Sequence, residues 1–127
     1  ELLGDIVGSR VLPVGPPSLS LSDVTNPGYR AFRAARANRP TVVYVGANDG
    51  MLHAFNGALS GTDAGREIFA YIPNAAFNGP DGTPNVSGLA SLGRTPFNHR
   101  FFVNATPVVK DVDFNRTGTG STPASTA

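Results

Sequence analysis

The sequence predicts an antiparallel all-β fold built from short strands, and three observations support this prediction. Gly (15) and Pro (11) together make up about a fifth of the 127 residues, which favours short elements joined by turns. Runs of β-branched and aromatic residues are typical of strands, and residues 41–46 are the strongest example. The pair Asp49-Gly50 then supplies the left-handed backbone that a tight hairpin needs. A β-sandwich and a propeller blade both fit, because hydrophobic periodicity alone does not separate them.

The first part of the chain contains a short strand region and the one good helix candidate. Residues 2–14 carry the strand pattern, and residues 15–28 are a loop rich in Pro, Ser and Gly. Residues 29–37 are predicted to be helical because Ala and Arg are strong helix formers. Asn38 and Pro40 then end the helix.

The rest of the chain is predicted to alternate strands with long loops. Strand patterns occur at 41–46, 51–55, 66–72, 100–104 and 106–112. The first two are joined by the Asp-Gly turn, and the third stops at Pro73. Residues 73–99 are expected to be loop, with one helical turn near 89–92. The Gly, Ser, Thr, Pro and Ala tail at 117–127 lacks the apolar content that ordering requires, so we expect it to be flexible.

The bulk composition excludes several classes of function. The formal net charge is +1, so no overall field attracts the chain to nucleic acid or to an anionic membrane. The chain has no cysteine, which excludes disulfides, thiolate metal sites and a cysteine nucleophile. No run of about 18 apolar residues is present in the sequence, so no membrane-spanning helix is predicted.

The central hairpin carries the motif that assigns a family. Residues 42–55 read VVYVGANDGMLHAF and closely resemble the blade signature of the type IV pilus biogenesis and tip-adhesin family (PilC/PilY type). The flanking segments agree with the same family, in the same order: LLGDIV at 2–7, EIFAYIP at 67–73, HRFFV at 99–103 and TPV at 106–108. The resemblance therefore covers most of residues 2–114.

The resemblance implies a C-terminal modified β-propeller attached to a variable N-terminal region. We therefore expect residues 1–116 to be a propeller fragment, with about two antiparallel blades, long loops and one short helix. Family members act at or near the pilus tip with minor pilins, promote pilus display, and in several cases adhere to host or abiotic surfaces. The resemblance thus implies an exported, non-catalytic protein at the pilus tip, in the outer membrane or in the periplasm. Its partners would be minor and major pilins and the rest of its own propeller.

The same hairpin is also similar to the propeller repeat of quinoprotein (PQQ) dehydrogenases, which provides the alternative function. Four positions match the repeat, namely Ala47, Asp49, Gly50 and Ala54, and Phe69 stands where the repeat has Trp. We expect structural roles for these residues. Asp49-Gly50 would make the turn, Ala54 would be small where two blades approach, and Phe69 would dock onto a neighbouring blade. The missing Trp and the flanking matches favour the pilus family.

Metal binding receives little support from the sequence. Asp111, Asp113 and Asn115 alternate like the first half of a calcium loop, but Arg116 occupies the glycine position and no glutamate closes the loop. We therefore expect a polar turn there and no cofactor in this segment. Some members of the family bind calcium in an acidic propeller loop, so calcium remains possible elsewhere in the intact propeller.

The remaining candidates have simple structural explanations. Arg30, Arg33 and Arg36 recur every three residues, and they form either a solvated helix face or, less favoured, a docking surface for an acidic partner such as a pilin. His53 and His99 have no Cys, Glu or second His at ligand spacing, so we expect ordinary polar residues. An open propeller fragment also exposes strand edges, which predicts self-association or pairing with further chain.

Overall fold

The computed structural model describes residues 3–113, which form two compact units. One unit comprises residues 3–14 and 42–108, and the other comprises residues 15–41 and 109–113. Residues 114–127, which include Asn115 and the predicted tail, lie outside the described part of the chain. The division 1–116 and 117–127 therefore stays a prediction.

The first unit is built on one open antiparallel sheet of four strands, in the order β1-β2-β3-β4. The strands are β1 (Leu12–Val14), β2 (Val42–Gly46), β3 (Leu52–Asn56) and β4 (Glu67–Tyr71). A propeller blade has four strands, so the described sheet corresponds to one blade, whereas the sequence predicts about two. The antiparallel all-β prediction is confirmed.

The centre of the sheet is a small core on the β2–β3 hairpin. Within the described region the buried apolar side chains are Val45, Ala47 and Ala54 on this hairpin, together with Ala76 in the short helix that follows β4. Val45 lies opposite His53 in the ladder, and Tyr44 lies opposite Ala54. The two faces of the hairpin therefore differ, because one face carries an imidazole and the other carries an aromatic ring beside a methyl group.

The last two predicted strands are wrong. Residues 100–104 and 106–112 form no strand in the structure, although their alternating pattern has β propensity. The chain there runs beside residues 8–10 and is held by side chains: Gly8 N–H donates to Asn104 Oδ1 at 2.6 Å, and Arg10 N–H donates to Thr106 Oγ1 at 3.0 Å. Because the side-chain oxygens of Asn104 and Thr106 accept these two amide protons, the protons are not available for a backbone ladder at these positions.

The helices also differ from the prediction. The predicted turn near 89–92 is a 3-10 helix at Leu89–Gly93, and a short helix not predicted, α2 (Asn74–Asn78), follows β4 directly. We number the helix of the second unit α1 (Tyr29–Ala35), two residues shorter at its end than the predicted 29–37. Its Tyr29 and Phe32 rings, three residues apart on the helix, lie 6.1 Å from each other.

Candidate functional site: a buried histidine between two carboxylates

The turn between β2 and β3 fixes the first carboxylate of the site. Ala47 N–H donates to Met51 O at 3.0 Å and Gly50 N–H donates to Ala47 O at 3.2 Å, which closes the turn around Asp49. Gly50 has a φ of 90°, a left-handed conformation that side chains with a Cβ rarely adopt. The predicted hairpin role of Asp49-Gly50 agrees with this geometry.

His53 lies on β3 and is buried between two acidic side chains. Only 6% of the residue is exposed. Nδ1 of its ring is 2.6 Å from Glu67 Oε1, and Nε2 is 3.0 Å from Asp49 Oδ2 and 3.2 Å from Asp49 Oδ1. Both ring nitrogens are thus engaged by carboxylates. His53 is a polar strand residue, as expected, but the sequence did not predict its burial or its two carboxylate partners.

A β-bulge brings Glu67 to the histidine. The ladder between β3 and β4 pairs Ala54 with Phe69 but Phe55 with Glu67, so Ile68 is the extra residue on β4. Without the bulge, Glu67 would share the sheet face of Ala54, since side chains alternate along a strand. The bulge instead places Glu67 on the face of Phe55 and His53, which explains the short contact to the imidazole.

Asp49 is held from three directions. Its Oδ2 accepts from Gly4 N–H at 2.9 Å, and its Oδ1 accepts from Met51 N–H at 3.1 Å. The third partner is the His53 ring. Asp49 therefore joins the N-terminal segment, the hairpin turn and β3, and its carboxylate has little freedom to turn away.

The charge of the imidazole follows from these contacts. Burial is the largest single influence on the pKa of His53 and lowers it, but the hydrogen bonds and charges of Glu67 and Asp49 together exceed that effect and raise the pKa above its ordinary value. An imidazolium donates from both nitrogens, which matches an acceptor on each side. The arrangement therefore stabilises a proton on His53, and neither ring nitrogen is open to a bound molecule.

A second polar group lies at the start of the same turn. Asn48 is buried, and its Nδ2 donates to Asp5 Oδ2 at 3.0 Å, while His99 Nε2 lies 3.2 Å from the same oxygen. The hydrogen bond from Asn48, followed by that from His99, lowers the pKa of Asp5. Oδ1 of Asn48 is a buried acceptor without a donor among the described residues.

The opposite face of the sheet carries an aromatic pair above a methyl group. Tyr44, Ala54 and Phe69 lie side by side on three neighbouring strands. The Tyr44 and Phe69 rings meet at 6.3 Å in an edge arrangement, and Ala54 beneath them has no exposed surface. Ala54 is therefore small where two rings of its own sheet meet, and the expected approach of two blades at this position stays a prediction.

Strand β4 leaves its large apolar side chains open to solvent. Ile68, Phe69, Tyr71 and Ile72 are all exposed, with 47% of Phe69 and 56% of Tyr71 accessible. Phe69 and Tyr71 lie on the face of the sheet that carries Ala54, so apolar surface is exposed along that face of the edge strand. The expected docking of Phe69 onto a neighbouring blade stays a prediction.

The second unit holds the remaining candidate residues. Arg30 and Arg33 line a shallow depression with Pro16 and Pro17, while Arg36 forms the C-terminal cap of α1. These contacts do not test the proposed arginine docking surface.

Asp111, a candidate calcium ligand, forms an ion pair with Arg39, in which Oδ1 of Asp111 lies 2.6 Å from Nη1 of Arg39. The guanidinium of Arg39 also donates to Gly15 O from Nε at 2.9 Å and from a terminal nitrogen at 2.6 Å. Among residues 3–113, no cluster of three or more acidic, His or Cys side chains is arranged to hold a metal ion. Calcium binding that involves Asp113 and Asn115 stays untested.

A family model described as "PilY1 beta-propeller domain" matches residues 3–120 of the chain. The chain is also similar to a type IV pilus biogenesis factor PilY1 of Pseudomonas aeruginosa (strain UCBPP-PA14), with 40% identity over 119 residues, which cover 90% of this chain and 9% of that protein. A type IV pilus biogenesis factor PilY1 homolog of Xylella fastidiosa is 51% identical over 79 residues, 59% of this chain and 6% of that protein.

The chain thus spans less than a tenth of the length of these relatives. No solved structure matches it significantly. With the family match, the open sheet is explained as part of a propeller, which confirms the predicted partial propeller. No helix in the described part of the chain combines the length and apolar character needed to cross a bilayer.

Proposed function

Since this chain belongs to the PilY1 β-propeller family, we propose that it supplies non-catalytic propeller structure to a type IV pilus biogenesis factor. The role proposed for the whole protein is to support pilus assembly and the display of pili on the cell surface. The observation that carries this proposal is the exposed apolar edge of β4, which suits a part that functions by packing against further protein.

The amount and placement of that apolar surface support an assembly role. Ile68, Phe69, Tyr71 and Ile72 are consecutive or nearly so, and they are exposed although isoleucine and the aromatics are usually buried. A propeller covers each blade on both faces with its neighbours, which removes such surface from water. The occupant we propose is the rest of the same propeller.

The histidine site supports a structural interpretation over an enzymatic one. Both nitrogens of His53 are directed at carboxylates, and Asp49 is saturated by backbone amides. A general base needs a free nitrogen within reach of a substrate proton. The polar residues of this site therefore stabilise the fold around β3, which suits a binding and assembly protein.

The finer parts of the proposal extend beyond this segment. Two proteins with which the chain aligns are named type IV pilus biogenesis factors, and that name describes those proteins. By extension, we place the protein outside the cytoplasm, at the pilus tip or in the outer membrane or periplasm. Its partners would be minor and major pilins, with adhesion to host or abiotic surfaces as a further role.

Surface piliation after deletion of the gene tests this function. The comparison uses the deletion strain with an active pilus retraction motor and the same strain without that motor. Loss of pili in the deletion strain with an active motor, and their return in the strain without the motor, would support a role in assembly or display. Pili whose assembly is initiated inefficiently persist on the surface when they are not retracted. Unchanged piliation would contradict the proposal, above all together with loss of a quinone-dependent oxidation.

A further inference from the structure

We infer that the contact between His53 and Glu67 is a proton-dependent fastening of β4, which holds the edge strand while the imidazole is charged and releases its first residues when it is neutral. The inference is independent of the role in pilus assembly. It rests on the placement of three side chains and on the bulge in the ladder.

The contact between His53 and Glu67 spans the irregular part of the ladder between β3 and β4. Regular pairing between β3 and β4 ends at Ala54 and Phe69, and the register shifts before Phe55. Backbone bonding continues on the other side of the bulge, where Asn56 N–H donates to Arg66 O at 2.8 Å. The side-chain bond from His53 to Glu67 bridges this interruption, where backbone pairing alone is weakest.

The two carboxylates differ in their freedom to leave the ring. Asp49 is held by the amides of Gly4 and Met51, and its side chain is 21% exposed. The Glu67 side chain is 38% exposed, and within the described residues its carboxylate bonds to His53. When one of the two contacts is lost, Glu67 is therefore the partner that moves.

The proton on the ring determines whether both contacts can exist. An imidazolium donates Nε2–H to Asp49 and Nδ1–H to Glu67. A neutral ring keeps one proton, which stays on Nε2 because Asp49 is fixed. The lone pair of Nδ1 then faces the Glu67 carboxylate, and two acceptors repel each other.

The charged groups around His53 set the direction of the effect. Among the described residues, Asp49 from the turn and Glu67 from β4 are the charged groups that face the ring, while its ladder partners are the uncharged Val45 and Ala70. Burial lowers the pKa of His53 and the two carboxylates raise it, with a net increase. Both carboxylate contacts of His53 are therefore present below the ordinary histidine pKa of about 6.5. The contact with Glu67 is lost as the pH rises through the higher pKa that His53 has in the folded protein.

Release of β4 would change the exposed apolar edge. Phe69 and Tyr71 lie on this strand, two and four residues after Glu67. Loosening of the strand start lets their backbone move, so the surface they form becomes less ordered. The charge of one buried histidine thereby controls the order of a surface that lies on the opposite face of the sheet.

Hydrogen–deuterium exchange on the native full-length protein tests this inference. The measured quantity is the protection factor of a peptide covering residues 66–72, corrected for the intrinsic pH dependence of exchange, between about pH 6 and about pH 9. The wild type is expected to lose roughly three- to tenfold protection in this peptide over that range, the size expected for one charge-assisted hydrogen bond to a partly exposed group. Peptides from β2 should keep their protection.

Two variants separate this contact from general charge effects. Glu67→Gln can donate its amide to a neutral ring, so the protection of β4 in this variant should not change with pH. Asp63→Asn removes the same charge from an exposed pair with Arg66, and it should behave as the wild type. An NMR titration of the His53 ring should give a midpoint that coincides with the loss of protection, and that midpoint should fall in Glu67→Gln.

Three results would overturn the inference. One is constant protection of residues 66–72 while the His53 ring titrates. Another is a loss of equal size in β2 and β4, because the opening would then be global. The third is an undiminished pH dependence in Glu67→Gln. If that variant does not fold, the wild-type exchange and the ring titration decide the matter together.

Discussion

Nδ1 of His53 lies 2.6 Å from Oε1 of Glu67, although a regular ladder would place these two side chains on opposite faces of the sheet. One extra residue in β4 reverses the direction of Glu67 and creates the contact. The polar site of this protein therefore depends on a backbone irregularity as much as on the identity of its side chains.

Neutralising Asp49, the carboxylate that faces Nε2 of His53, should destabilise the protein most at mildly acidic pH. Asp49→Asn removes the charge that faces Nε2 but keeps the size of the side chain, so the pKa of His53 should fall. A folded pKa above the unfolded value stabilises the fold below that unfolded value, and this contribution disappears as the pH rises through the folded value. We expect a loss of about 1–3 kcal/mol near pH 6 and a smaller loss near pH 9.

Urea unfolding at several pH values measures this difference. Asp81→Asn is the matched control, because it removes the same charge from an exposed loop position. A loss for Asp49→Asn that stays constant or grows towards alkaline pH would contradict the assigned charge state of His53.

Enlarging residue 54 should disturb the aromatic face. Ala54 is fully buried below the Tyr44 and Phe69 rings, so Ala54→Leu has to push the rings apart or bend β3. Overpacking of this kind costs about 1–3 kcal/mol, which thermal unfolding can measure. Ala58→Leu, at an exposed position after the same strand, should change the stability little. Equal stability of the two variants would show that Ala54 has room for a larger side chain.

Substituting two glycines that both have a left-handed backbone allows the cost of backbone strain to be compared with the cost of a packing clash. Gly50 has a φ of 90°, and a Cβ there would collide with the Leu89 side chain. Gly82 has a φ of 65° and open space around it. Both Gly→Ala variants should lose about 1 kcal/mol to strain, and Gly50→Ala should lose only slightly more, because the clash is with the end of the flexible Leu89 side chain. Chemical denaturation that shows no loss of stability in either variant would contradict the left-handed backbone at these two glycines.

Arg39 should stabilise the second unit through the hydrogen bonds of its planar guanidinium group. It donates two hydrogen bonds to Gly15 O and one to Asp111. Lysine keeps the charge but cannot reproduce this geometry, so Arg39→Lys should increase amide exchange in residues 38–41 by roughly tenfold. Arg33→Lys, on the exposed face of α1, is the control and should leave exchange there unchanged. Equal exchange in the two variants would show that the charge of Arg39 suffices.

The residue pattern within each segment was sufficient to predict the central hairpin and β4. The predicted strands 41–46, 51–55 and 66–72 correspond to Val42–Gly46, Leu52–Asn56 and Glu67–Tyr71. These segments combine β-branched or aromatic residues with clear stops, so their propensity and their tertiary pairing agree. The turn at Asp49-Gly50 was predictable for the same reason, since its backbone requirement is carried by a single glycine.

Other features depend on contacts between distant parts of the chain. Residues 100–112 have strand propensity, but Asn104 and Thr106 use their side chains to bind the backbone near Gly8 and Arg10. The histidine site could not be located either, because its second carboxylate reaches the ring only through the bulge at Ile68. The four-residue spacing of Asp49 and His53 across the turn was the one local signal available.

Complementation of a deletion strain with a Phe69→Asp variant tests the central claim that the apolar edge of β4 is an assembly surface of a pilus biogenesis protein. Leu59→Asp, at a fully exposed loop position, is the control, and surface pili are counted at matched protein levels. We expect the control to restore piliation and Phe69→Asp to leave it as low as in the deletion strain. Full piliation with Phe69→Asp would contradict the claim.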